Sequence, residues 1–232
     1  MSTTTTPTTN RRTAVAGLCA ATAGAIFIGV QIGHPSATVA HLLTTEMTLR
    51  ETAKVLMAIL ALAGFTGIFL RHRGRLGRLG RAGYGLLTVG YLAMFAAECI
   101  IGYYLPTVAH SNPGYVQHVI NAAMGHGPSG GIGVMHDLFI VMGIGYSLGG
   151  LLFGIALFRA RVLARWASLL LAYGTTSALA LSVLPESFSR PFAVPTGVAL
   201  IGLGVSLWRK ERPQANTIDA PARLRIAESA TR

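Results

Sequence analysis

Charge is scarce in this chain: 12% of its 232 residues are Asp, Glu, Lys or Arg, and only eight are acidic. Soluble domains carry about twice that charged share, and the mean hydropathy of +0.54 points toward lipid rather than water. Cysteine is scarcer still. Cys19 and Cys99 both fall inside apolar stretches, which excludes a disulfide framework and a paired-cysteine metal knuckle. There is no HExxH, no HxH and no aspartate-rich diphosphate motif, and the ten-residue alternation of a membrane β-barrel is missing. Half-to-half similarity of the kind that marks inverted-repeat transporters is not evident. The net charge of +11 does not indicate nucleic acid, because the Lys and Arg residues lie between apolar segments instead of on one face interleaved with aromatics.

Long apolar runs are what the chain does have. A bilayer core of about 30 Å takes about 20 helical residues to cross, and six stretches qualify: 13–33, 52–71, 82–105, 132–158, 162–184 and 191–208. The first follows Arg11 and Arg12, but its apolar core is too long for a signal peptide, and AGL before Cys19 is not a lipoprotein cleavage site. Arg11 and Arg12, the five arginines from Arg71 to Arg81, Arg159, Arg161, Arg165 and the six basic residues after position 208 share one side, against Arg50, Lys54 and Arg190 on the other. By the positive-inside rule both termini are cytoplasmic. The expected fold is all-α, a six-helix transmembrane bundle over 13–208 in the cell membrane, between a disordered Thr-rich tail at 1–12 and a cytoplasmic polar tail at 209–232.

Between spans two and three, RHRGRLGRLGRAG (71–83) reads as a basic loop against anionic headgroups of the membrane lipids. The outer loops at 34–51 and 106–131 are long, and 115–124 within the second suits a short interfacial helix, followed by the flexible turn GHGPSGG. Small residues recur every four positions at Ala21, Ala25, Gly29 and Gly33, and again at Gly150 and Gly154, which predicts close helix packing.

Within GYLAMFAAECIIGYYLP (90–106), Glu98 lies about 10 Å from the outer end of its span at 1.5 Å per residue. An ionisable group in hydrocarbon is costly and is by default a functional candidate. Steps of three and four residues join it to Tyr84, Thr88, Tyr91, Phe95 and Gly102, an aromatic and polar stripe on an otherwise aliphatic helix. Asp137 lies at similar depth in the next span, about 7 Å from its outer boundary. The expectation is an acid pair, Glu98 and Asp137, one donating a proton while the other receives or orients it.

Six of the seven histidines, His34, His41, His110, His118, His126 and His136, belong to the outer side. Their wide spacing does not suit a metal site, none is deep enough to ligate haem, and neither metal nor cofactor is expected. Gln31, His34 and His136 are read as polar groups supporting the outer cavity, with His34-Pro35 ending the first helix.

Two functions of different classes suit these residues. The first is a membrane-embedded enzyme performing proton-initiated cyclisation or isomerisation of an isoprenoid or prenylated lipophilic substrate. Glu98 and Asp137 would supply acid and base, and Tyr84, Tyr91, Phe95, Tyr103, Tyr104, Phe139 and Tyr146 would offer ring faces to carbocations. The second is a proton-coupled transporter, carrier or sensor without catalytic activity, with Glu98 as the titrating group. In span number and paired intramembrane acids the chain resembles the small integral-membrane terpene cyclases of meroterpenoid pathways, which implies carboxyl-initiated cyclisation. LFRARVLARWASLLLA (157–172) resembles hairpins of actinobacterial polytopic membrane proteins.

Overall fold

The computed structural model describes residues 11–127, 130–177 and 186–212, the last segment with side chains from 193 onward. Among these residues every regular element is helical and no strand is present. Helix α1 spans Arg11–Gly29, α2 Val39–Leu42 and α3 Thr45–Cys99; a π-helical turn, Ile100–Tyr104, leads into α4, Leu105–Ala109. Then come α5 (Pro113–Ala123), α6 (Val134–Ala160), α7 (Arg165–Ser177) and α8 (Glu186–Glu211). Three stretches are long and apolar enough to cross a membrane: Arg11–Gly29, Thr45–Ala109 and Val134–Ala160.

The 55 residues of α3 are not one rod. Gly77 takes φ 63° and ψ −160°, a backbone state that suits a residue without Cβ, and the chain folds back there. Contacts on either side show the reversal. Phe69 stacks on Tyr84 with ring centroids 4.1 Å apart, Thr66 Oγ1 lies 2.9 Å from Tyr84 OH, and Phe65 meets Tyr91 at 5.4 Å. Further out, the Tyr103 hydroxyl donates to Thr52 Oγ1 at 3.0 Å. The two arms, 45–76 and 78–99, are therefore an antiparallel hairpin. The basic segment expected as a loop at 71–83 is helical on both sides of Gly77, because Arg and Leu are good helix formers and one glycine suffices for the bend.

Small residues set how the remaining helices meet. A Cβ on Gly90 would strike the backbone of Gly145 and Tyr146, and one on Gly83 would strike Phe153, so the second arm of α3 runs antiparallel to α6 with backbones in contact. Gly17 and Gly24 of α1 meet α8 at Gly204 and Gly197 in the same way, again antiparallel. Helix α1 also packs on the first arm, Gly64 against Ala20 and Gly67 against Ala16, while α7 lies between α6 and α8. Phe65, Tyr91, Phe153, Leu200 and Leu203 fill the core between these helices.

Several expected boundaries move. Arg11 and Arg12 belong to α1, and α8 continues through Arg209 and Lys210 to Glu211. The short helix expected at 115–124 begins two residues earlier, where Asn112 caps it by accepting from Tyr115 N at 3.1 Å and Pro113 takes the first turn. The first ten residues, Pro128 and Ser129 of GHGPSGG, the end of the span placed at 162–184, and residues 213–232 lie outside the described residues.

Candidate functional site

One end of the helix assembly is closed by a cap. Leu42 of α2, Met47 of α3, Leu105 of α4 and Val116, Val119 and Ile120 of α5 form a second apolar cluster there. Gln117 ties α5 to the start of α2 and to Ala37 before it: its Oε1 accepts from Val39 N at 3.4 Å and its Nε2 donates to Ala37 O at 3.3 Å. Arg50 binds the end of α1 to α3. Its guanidinium donates to the carbonyls of Val30, Ile32 and Gly33 at 3.0–3.1 Å and pairs with Glu46 at 2.9 Å. Those carbonyls belong to the turn that follows α1.

Beneath the cap lies a cavity of about 530 Å³, within the range that holds drug-sized ligands. Its wall is chiefly apolar, with residues from α1, both arms of α3, α5, α6 and α8. Met47, Met57, Met94, Met124 and Met142 all line it, five of the chain's seven methionines. Methionine is unbranched and polarizable, so such a wall adapts to the shape of an apolar guest.

Three charged side chains stand in this wall. Lys54 Nζ lies 2.7 Å from Glu51 Oε1 and 3.5 Å from Glu98 Oε2. Glu51 is fully buried, whereas Lys54 and Glu98 keep 18% and 17% of their side-chain surface exposed, so the cluster has a deep member and two that open to the cavity. Lys54 Nζ thus bridges the Glu51 and Glu98 carboxyl groups, one from each arm of α3. Among the described residues Glu51 Oε2 has no hydrogen-bond partner, and neither does the buried Ser147 Oγ of another cavity-wall residue.

The local fold explains how two acids from opposite arms meet. Glu51 and Lys54 are three residues apart on the first arm and share a face. The hairpin at Gly77 brings Glu98 of the second arm alongside. Just beyond Glu98 the helix widens into the π turn at Ile100–Tyr104, where Gly102 packs against Glu51: a Cβ at Gly102 would lie 2.7 Å from Glu51 Cβ. π-Helical turns inside α-helices are frequent at functional sites.

The residues expected from sequence divide into two groups. Glu98, Gln31, His34, Phe139 and Tyr146 line the cavity. Asp137 does not: it is exposed in the first turn of α6, outside the wall, and the ion pair of Glu98 is with Lys54. The helical period gives the reason. Phe139, Met142, Gly143 and Tyr146 form the cavity face of α6, and Asp137, two residues before Phe139, points about 160° away from it. His136 is also exposed and away from the cavity wall.

Of the aromatic set, Tyr84 and Phe95 are half-buried against the main core and Tyr91 is fully buried in it, its hydroxyl unpartnered. Tyr103 and Tyr104 are 46% and 58% exposed. None of these five lines the cavity, and Phe27, Phe139 and Tyr146 supply its rings. The Tyr146 hydroxyl donates to Thr196 Oγ1 at 3.0 Å.

Glu51 and Lys54 are the residues that sequence reasoning missed as site members, because both stood at the edge of an outer loop. Their i, i+3 acid–base spacing at the start of an apolar run was the available signal. Among the described residues no group of three or more His, Cys, Asp and Glu side chains is arranged to hold a metal ion. Comparison with protein-family models, curated proteins and solved structures finds no match, so the site is interpreted from its own geometry.

Proposed function

We propose that this protein is a multi-pass cell-membrane enzyme that transfers a proton to a lipophilic substrate, with Glu51 and Glu98 as the acid pair and Lys54 as the cation that holds them. The observation that carries this reading is the Glu51–Lys54–Glu98 cluster in the wall of a chiefly apolar cavity. A carboxyl group beside a carboxylate, in a site that excludes most water, is suited to proton donation and return. The substrate class proposed is an isoprenoid or prenylated compound, already soluble in the bilayer, undergoing isomerisation or cyclisation. Phe27, Phe139 and Tyr146 offer ring faces to developing positive charge.

The membrane arrangement proposed with it is six crossings: α1, the two arms of α3, α6, α7 and α8. The antiparallel contacts between these helices and the basic residues at the Gly77 end support both termini being cytoplasmic. The cap would then face outward. A second reading, a proton-coupled carrier, draws on the same two carboxyl groups at the cavity, because intramembrane carboxylates serve proton relays as readily as catalysts.

The test is conversion of a prenylated substrate by membranes containing the protein, without added ATP. Glu98→Gln and Glu51→Gln should each abolish product while Asp137→Asn retains it. Product formed equally by Glu98→Gln would overturn the acid mechanism. Solute flux driven by a pH gradient in reconstituted vesicles, with no chemical conversion, would favour the carrier.

A further inference from the structure

We propose that the Glu51–Lys54–Glu98 cluster also binds the cationic head of a lipophilic amine in place of a proton on one of its carboxyl groups, with the tail lying against the methionine wall. The inference rests on the reading that the cavity takes lipophilic molecules, but it needs no catalysis.

Charge count is the first argument. Two carboxylates face one ammonium, so one further positive charge balances the cluster. A proton in the carboxyl pair supplies that charge, and an alkylammonium head would supply it equally. The second argument is hydrogen bonding. Lys54 occupies Glu51 Oε1, while among the described residues Glu51 Oε2 and Ser147 Oγ, both buried in cavity-wall residues, have no hydrogen-bond partner. Both oxygens accept hydrogen bonds, as an ammonium head requires. An anionic head would meet two carboxylates, and a neutral alcohol would not displace the proton. The third argument is the remainder of the cavity. Five methionines adapt to an alkyl or polycyclic tail, and Phe27, Phe139 and Tyr146 present rings to a cation.

The exchange balances simply. The ammonium keeps all its protons, the carboxyl pair loses one to solvent, and no covalent bond forms or breaks. The titratable groups lining the cavity are Glu51 and Lys54 from the first arm, Glu98 from the second, His34 following α1, and Tyr146 from α6; the described side chains of α8 contribute Ala193 alone.

The experiment is calorimetric titration of the full chain in lipid nanodiscs with four probes of equal tail: decylammonium, decyltrimethylammonium, decanol and decanoate. Empty nanodiscs serve as the blank, and buffers of different ionisation enthalpy count released protons. Both cations should bind at least ~10-fold more tightly than decanol, each releasing about one proton, and decanoate should bind more weakly than decanol. Glu51→Gln should lose the cation preference and the proton release while leaving decanol affinity unchanged. If that variant fails to fold, Ser147→Ala should weaken decylammonium, which can donate a hydrogen bond, with proton release preserved.

Cations binding no more tightly than decanol, or releasing no proton, would overturn the proposal. Release that persists in Glu51→Gln but vanishes in His34→Asn would overturn it too, by moving the proton to the imidazole. Equal binding of all four probes would remove this inference alone, whereas no binding of any would remove the lipophilic-cavity reading with it.

Discussion

The two ends of the helix assembly use charge in opposite ways. At the Gly77 end, Arg71 Nε pairs with Glu211 at 2.6 Å but keeps 49% of its side chain exposed, and Arg165 and Arg212 lie over the rings of Phe158 and Trp208. At the cap end, Glu51 is fully buried and shares Lys54 with Glu98. The difference lies in solvation. Exposed ion pairs exchange one set of favourable contacts for another in water and are worth about 0–1 kcal/mol. Buried charges have given up water, so each partner depends on the others, and removing one costs about 3–5 kcal/mol. The arginine end can orient the chain; the cap end can hold chemistry.

Three substitutions sharpen this contrast. Lys54→Met should have the largest effect, about 3–5 kcal/mol of destabilisation, because it leaves two facing carboxylates without their cation. Thermal unfolding in detergent would measure it, and a loss under 1 kcal/mol would mean that the cluster is wetter than its burial indicates. Arg50→Ala should be intermediate, about 1.5–3 kcal/mol, since hydrogen bonds from a guanidinium to three carbonyls of the turn after α1 are lost at a partly exposed site. Protease accessibility of residues 30–44 should rise with it. Arg71→Ala should be smallest, within about 1 kcal/mol and decreasing with added salt. An Arg71→Ala effect equal to that of Lys54→Met would erase the distinction between the two ends.

Much of the architecture was legible from the chain because lipid-scale helices leave a strong periodic signal. Each apolar run corresponds to helix over most of its described residues, and α5 was visible from its polar and apolar pattern. The reversal between spans two and three was expected within 71–83 but its form was not, since a run of Arg, Leu and Gly reads as a loop, whereas only Gly77 departs from helical geometry. The site was half legible. Glu98 stood out because its surroundings are uniformly apolar. Its partner did not, because depth along two helices fixes height and leaves rotation about each axis open, and Asp137 lies on the wrong face of α6.

The sequence by itself determined that the protein is helical and apolar, that its basic residues gather at one end, and that Glu98 is an acid in need of a partner. Those properties follow from composition and short-range periodicity, which each segment carries alone. Only the tertiary structure decided that the partners are Glu51 and Lys54, that Gly102 makes room for Glu51, and that five methionines surround one cavity. These juxtapositions depend on one backbone reversal at Gly77 and on how the glycine contacts rotate each helix against its neighbour. A linear pattern does not encode that rotation until the helices pack.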